Sequence, residues 1–341
     1  MSGVLMNYPS ESPQIREAIQ RSKSVLLVSH ANPDADAVAS LLAFRQACIG
    51  DQRNISMALG PGTVPENLGY LPAIDELQPI AAVDVNKFDL VVFLDSADED
   101  RVGPEGSALL EAARTNAHVI NIDHHVTNTR YADVNLIDAE AAATCEILTL
   151  LLSDLGVEIS PPIATTLMTG IQGDTLGLRT PSTTGRTLEV GATLLRAGAD
   201  LDKIVDSLFR VRPYSTLKLW AEALGKTTFT GDLIWTEVTE DMLSRSGADE
   251  SEAEGIVNFL AGTEGARAAA MLYRKPDGWR VSMRSLGDEV DVSKLAGLFD
   301  GGGHSRAAGC RLSGDESERQ RFLDTIAEQI RPSIAMPANQ N

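Results

Sequence analysis

His118-Val-Ile-Asn-Ile-Asp-His-His125 is the stretch on which the fold of this chain turns. Its apolar, β-branched first half reads as a buried strand. Its end delivers three polar groups, Asp123, His124 and His125. In an open α/β sheet, ligands lie beyond the carboxyl ends of the strands. Two other segments end the same way. Ser24-Val-Leu-Leu-Val-Ser-His30 runs into Asn32-Pro-Asp-Ala-Asp36, and Phe88-Asp-Leu-Val-Val-Phe-Leu-Asp95 stops on an acid. Three strand tips carrying His and Asp point to one metal cage assembled from distant segments.

Working outward, strands alternate with helices, the pattern of a parallel, doubly wound sheet. A helix is expected over Ser12–Ser22, a strand over Ser24–Ser29, a helix over Asp36–Cys48 and a strand over Ile55–Leu59. The strand Asp89–Leu94, a helix over Ser107–Arg114 and the organising strand follow. Helices read over Ala141–Leu155, Pro162–Gly173, Thr187–Ala197 and Leu201–Phe209. Val211-Arg-Pro-Tyr-Ser215 breaks the pattern, and Leu217–Leu224 reads as a connecting helix. Beyond Gly231, strands are expected over Leu233–Val238, Ala268–Tyr273 and Trp279–Arg284, the last two joined at Pro276-Asp-Gly278. Helices fit Glu250–Leu260, Val292–Phe299 and Glu316–Ile330. The fold class is α/β: a doubly wound, mostly parallel sheet over residues 1–210, a helical linker over 211–230, and a smaller α+β domain over 231–335. The polar tail from Pro332 is expected to fray.

The 341 residues suit about two domains, and 43% hydrophobic with 23% charged residues is an ordinary globular composition. No run of ~20 apolar residues exists, so no transmembrane helix and no membrane partner are expected. Met1–Pro9 lacks the basic and apolar regions of a secretory signal. Cys48, Cys145 and Cys310 are scattered and odd in number, which suits a reducing cytoplasm. Lys plus Arg total 29 against 48 Asp plus Glu, a net charge of −19. Long nucleic acid is held through many cationic phosphate contacts, so a grip on long DNA or RNA is not expected. A short phosphorylated ligand, held at metals and a few local cations, remains compatible with this balance.

His30, Asp34, Asp36, Asp95, His124 and Asp174 form the candidate ligand set. Its four carboxylates would repel one another without cations, and two divalent ions would neutralise them. Carboxylate with imidazole suits Mn2+ or Mg2+ better than a thiolate-rich zinc site does. Asp95 sits centrally and is the chosen bridge between two ions. A lone Asp after a strand is usually a cap, and Asp98, Asp100, Asp133 and Asp138 are read as caps or surface. The weight lies in the joint pattern: three of the five histidines fall at two strand tips.

His30-Ala-Asn-Pro-Asp-Ala-Asp36, Leu94-Asp-Ser96, Asp123-His-His125 and Gly170-Ile-Gln-Gly-Asp-Thr175 resemble the ordered motifs of the DHH phosphoesterase family. Gly301-Gly-Gly-His-Ser-Arg-Ala-Ala-Gly309, with Val281-Ser-Met-Arg-Ser285 before it, resembles the signature of the family's associated substrate-binding domain. The resemblance runs from His30 to Gly309. It implies two lobes with a cleft between them, the first a DHH metal-binding catalytic domain and the second a substrate-binding domain. By position it implies one Mn2+ on His30, Asp34 and Asp95, and another on Asp36, Asp95, His124 and Asp174. Mg2+ is the alternative metal. His125 would face the substrate phosphate and Asp123 would orient a ligand from behind. Three positions depart from the family pattern: Ala39, Leu176 and Asp300 each stand where Gly is common.

The resemblance is greatest to the compact enzymes that degrade very short RNA and dephosphorylate 3′-phosphoadenosine 5′-phosphate. The implied activity is a two-metal phosphoesterase with a bridging hydroxide, His125 and Asp95 taking part in catalysis. In the second lobe, Gly302 and Gly303 would bring backbone N–H groups to a phosphate, and His304, Arg306, Arg284 and Ser285 would add donors. Hydrolysis of linear or cyclic dinucleotides is the alternative chemistry, and a nucleotide sensor without turnover the alternative class. The expected partners are small nucleotides or short RNA, and a homodimer is the expected assembly if any forms.

Overall fold

The computed structural model of the chain describes residues 7–48, 54–253, 255–287 and 289–331. The tail from Pro332 lies outside them. The chain divides into two compact units after Val211.

The first unit is built on six parallel strands: β1 Ser24–Ser29, β2 Asn54–Leu59, β3 Leu77–Pro79, β4 Leu90–Leu94, β5 His118–Asp123 and β6 Val134–Ile137. They lie in the order β3-β2-β1-β4-β5-β6. Strands buried on both faces read as continuous apolar runs, and alternate residues of β1 serve opposite cores. Val25 and Leu27 pack with the helices α2 Ala35–Cys48, α4 Thr144–Asp154, α5 Pro161–Asp174 and α6 Gly185–Arg196. Leu26 and Val28 pack on the other side with Leu109, Leu110 and Ala113 of α3 Gly106–Asn116. Leu26, Leu27, Phe93 and Ile120 have no exposed surface, and each contributes about 1.5–3 kcal/mol by burial. Helices α1 Glu11–Arg21 and α7 Leu201–Val205 complete the unit. The strand order reverses between β1 and β4, where open α/β sheets bind ligands. The α/β class expected from the alternation is the class observed.

The second unit opens with α8 Tyr214–Gly225 and carries a mixed sheet in the order β11-β12-β10-β9-β8-β7. Its strands are β7 Thr228–Thr230, β8 Leu233–Val238, β9 Ala268–Lys275, β10 Gly278–Arg284, β11 Gly302–His304 and β12 Ala307–Ser313. Lys275 pairs with Gly278, so the turn expected at Pro276-Asp-Gly278 is a two-residue loop. One face packs against α11 Val292–Gly297 and α12 Glu316–Gln329. The β8–β9 part of the other face is covered by α8, α9 Glu240–Ser246 and α10 Ile256–Ala261.

Two sequence expectations are corrected, and one hairpin was not foreseen. The helix read over Ala141–Leu155 begins only at Thr144, with Ala143 extended before it. The helix read over Glu250–Leu260 is a 3-10 turn at Ser251–Ala253 followed by α10, parted by Gly255 at φ 95°. The glycine-rich segment Gly301–Gly309, where no strand was read, forms a β11–β12 hairpin. Its interleaved small residues hide the period-2 signal on which strands are recognised.

Candidate metal centre

The switch point gathers the tips of three strands. His30 follows β1 and is 4% exposed. Its Nδ1 lies 2.8 Å from the Ala31 carbonyl oxygen, which leaves Nε2 to face Asp95 Oδ2 at 3.4 Å. Asp95 follows β4 with a left-handed φ of 57°. Its amide donates to the Ile122 carbonyl oxygen at 3.0 Å, locking the β4 tip against β5. A buried non-glycine residue held in that region marks a site whose surroundings over-determine it. His124 Nε2 lies 3.5 Å from Asp95 Oδ1 and 3.2 Å from Asp174 Oδ2. Asp34 Oδ1 accepts the amides of Asp36 and Ala37, each at 3.0 Å, and so caps α2. A carboxylate oxygen of Asp34 lies within 4.8 Å of donor atoms of His30 and Asp95.

The six predicted ligands therefore fall into two groups, His30 with Asp34 and Asp95, and Asp36 with His124 and Asp174. Within each group the potential donor atoms lie within 4.8 Å of one another. Asp95, His124 and His125 form a third such set. Asp123 holds His125: its Oδ1 accepts from Nδ1 at 2.7 Å, while Oδ2 accepts from Asn128 Nδ2 at 2.7 Å.

Charge makes the cluster's demand plain. Burial raises the Asp36 carboxyl, and the charges of Asp95 and Asp174 push it further, well above the usual carboxylate range. Burial raises Asp174 to about 6 against the pull of His124. Burial would raise Asp95 too, but His30 and His124 beside it hold it down to about 2. Burial opposes a charged His124, yet Asp174, Asp36 and Asp95 push it up to about 10. The acids thus draw positive charge onto the imidazoles beside them. The buried Nε2 atoms of His30 and His124 have no hydrogen-bond partner among the described residues. Nitrogens that converge on carboxylates without bonding to them are disposed as ligands of a cation would be. The donor set fits divalent metal ions of the oxygen- and imidazole-binding kind.

Sequence reading missed two parts of this site. Thr144 touches both halves: its amide donates to Asp36 Oδ2 at 2.6 Å and its hydroxyl to Asp95 Oδ1 at 3.0 Å. The Cys145 amide donates to Asp36 Oδ1 at 3.0 Å. These are the unpaired first amides of α4, the natural seat for an anion. Nothing in Ala141-Ala-Ala-Thr-Cys145 signals this, because the partners lie 49 to 109 residues upstream. The second part is space. A Cβ on Gly170 would lie 2.5 Å from Asp36 Oδ1, and one on Gly173 would lie 2.5 Å from Ala35 Cβ. Both glycines sit on α5 and let it approach α2 closely enough for Asp174 and Asp36 to join one group.

The predicted substrate-binding residues share one corner of the second unit. Arg284 ends β10 opposite Ala307, and its Nε donates to Asn258 Oδ1 at 2.8 Å. The Ser285 amide donates to the Arg306 carbonyl oxygen at 3.2 Å. The Ser285 hydroxyl donates to the Val290 carbonyl oxygen at 2.8 Å, so it closes its own loop. Gly302, Gly303 and His304 form β11 against Ala307–Gly309.

A model of the DHH family N-terminal domain matches residues 24–171, and a DHHA1 domain model matches residues 234–331. The chain is 32% identical over 311 residues to the bifunctional oligoribonuclease and PAP phosphatase NrnA of Thermus thermophilus, covering 90% of each protein. Among solved structures, an exopolyphosphatase-related protein from Bacteroides fragilis aligns with a TM-score of 0.87 at 20% identity, covering 96% of this chain and 98% of that one. Exonuclease RecJ bound to manganese aligns with a TM-score of 0.53 at 18% identity, covering 96% and 95%. At such identities the structural likeness speaks for the fold.

Proposed function

The chain belongs to the DHH phosphoesterase family, and on that footing we propose that it hydrolyses short oligoribonucleotides to mononucleotides and 3′-phosphoadenosine 5′-phosphate to AMP. The observation that carries this reading is the convergence of His30, Asp34, Asp36, Asp95, His124 and Asp174 at the tips of three strands. Asp95 belongs to the first group and also to the set with His124 and His125, which suits it to bridge two ions. The oligoribonuclease and phosphatase activities named for the Thermus relative support the substrate class. Mn2+ is the proposed metal, from the carboxylate and imidazole donors and the manganese of the RecJ neighbour.

Two such ions supply Lewis-acid polarisation of phosphoryl oxygens and a water acidic enough to attack at neutral pH. The protein's own groups do the rest. Asp123 fixes His125 through Nδ1, which leaves Nε2 to face a phosphate oxygen or the leaving oxygen and, when it carries a proton, to donate to it. Thr144 holds Asp36 and Asp95 at fixed positions, so the cage needs no rearrangement as charge develops. In the second unit, Arg284 and the backbone of Gly302 and Gly303 offer donors suited to a nucleotide phosphate.

The test is to incubate the purified chain and Mn2+ with a dinucleotide, a pentaribonucleotide, 3′-phosphoadenosine 5′-phosphate and cyclic di-AMP, and to follow products. Turnover of the first three is expected. Exclusive turnover of the cyclic dinucleotide would move the assignment to that chemistry, and no turnover at all would leave a sensor. Asp95→Ala is expected to abolish turnover with the fold retained.

A further inference from the structure

Along β10, Trp279, Val281 and Met283 are buried in the second core, while Arg280, Ser282 and Arg284 point to the opposite face. The α8–α10 helices cover that face at β8 and β9. At β10 and β12 it stays open, and a cavity of about 650 Å³ there is lined by Arg280, Ser282, Gly301, Gly309 and Arg311 with Asp300 at one side.

The strand register sets Arg280 directly opposite Arg311. Like charges facing each other across a ladder destabilise a sheet, and this chain has only 29 cations against 48 acids. Folding gives no reason to place two arginines together here. Glu250 pairs with Arg280 at 3.1 Å but is shared with Lys275 at 2.6 Å. Arg311 has no ion pair among the described residues. An excess of positive charge, a hydroxyl and two glycines line one open cavity on an otherwise acidic protein. That combination complements a phosphodiester, and two arginines can bind it as forks.

We propose that Arg280, Arg311 and Ser282 bind a backbone phosphate of single-stranded RNA that the smallest substrates lack, an inference resting on the phosphoesterase reading. Arg284 and Arg280 lie four residues apart on one strand, about 13 Å. The two ends of the row therefore serve different phosphates. The site makes affinity depend on substrate length, with dinucleotides and 3′-phosphoadenosine 5′-phosphate indifferent to it.

The experiment compares the wild-type chain with Arg311→Glu and Arg311→Gln in Mn2+. Arg311→Glu turns a repulsive cross-strand pair into an attractive one, so its melting temperature is not expected to fall. KM for a pentaribonucleotide should rise about 5-fold or more, the size of one ordinary contact. KM for a dinucleotide and for 3′-phosphoadenosine 5′-phosphate should stay within about 2-fold on the same scale. For Arg311→Gln, the slope of log KM against log salt for the pentamer should shrink by roughly 0.7, one single-strand phosphate contact. An unchanged pentamer KM, or an equal rise at every length, overturns the site. If the wild type turns over none of these substrates, the phosphoesterase reading fails instead. Fluorescence anisotropy with a labelled pentaribonucleotide then still reads the site: equal affinity for wild type and Arg311→Glu rejects it.

Discussion

Thr144 joins two carboxylates that are 59 residues apart in the chain, Asp36 and Asp95, through one amide and one hydroxyl. Only the hydroxyl bond depends on the side chain. Replacing Thr144 by Val keeps the β-branched shape and the amide bond but leaves Asp95 Oδ1 without its donor. Partners behind a metal ligand are typically worth 10–100-fold in affinity or activity. Thr144→Val is expected to weaken Mn2+ binding by about 10-fold or more, measured by calorimetric titration of the metal-free protein, and Thr144→Ser is expected to restore it. Equal affinity in wild type and Thr144→Val would show the hydroxyl to be mere packing. Two other residues explain departures visible in the sequence. Leu176 and Asp300 stand where Gly is common in the family, and both have left-handed backbones, with φ of 49° and 54°. Only Gly adopts that conformation without steric cost, so Leu176 and Asp300 hold under strain a backbone that an expected Gly would take freely.

Among the elements, α5 decides whether the second ligand group exists. It carries Asp174 at its end and packs on α2, which carries Asp36. Gly170 faces the Asp36 carboxylate with no room for a methyl group. Gly170→Ala improves helix propensity by about 1 kcal/mol and would normally stabilise. Here the added Cβ must push α5 away or displace Asp36, at about 1–3 kcal/mol for overpacking. The expected result is a lower urea midpoint together with loss of activity. A gain in stability with activity intact would mean the close approach is dispensable. The neighbouring α4 shows how a helix start serves a site. Its late beginning at Thr144 frees the amides that Asp36 accepts, and Glu146, Thr187 and Arg186 pin that turn. Glu146 accepts from Thr187 Oγ1 at 2.8 Å and from Arg186 Nε at 2.7 Å.

For the whole molecule, the proposed metal ligands all lie in the first unit, which has its own cores apart from those of the second. A ligand stabilises only the unit whose native state binds it. Scanning calorimetry is therefore expected to show one transition that rises with Mn2+ and falls with chelator, and a second that ignores both. At 100 times the dissociation constant, one site adds about 2.7 kcal/mol. A metal response of equal size in both transitions would place binding elsewhere. Strands β1, β2, β4 and β5 were legible in the sequence because they are apolar runs, three of them ending in His or Asp, and periodicity is a local property; the short strands β3 and β6 carry no such run and were not read. The ligand candidates were legible too, since clustered acids imply a cation wherever they meet. Tertiary structure alone decided that the strand order reverses between β1 and β4, that α4 starts late enough to offer Asp36 its amides, and that Arg280 faces Arg311. Each of these depends on which distant backbone lies alongside, and pairing between remote segments leaves no mark on the local pattern of either one.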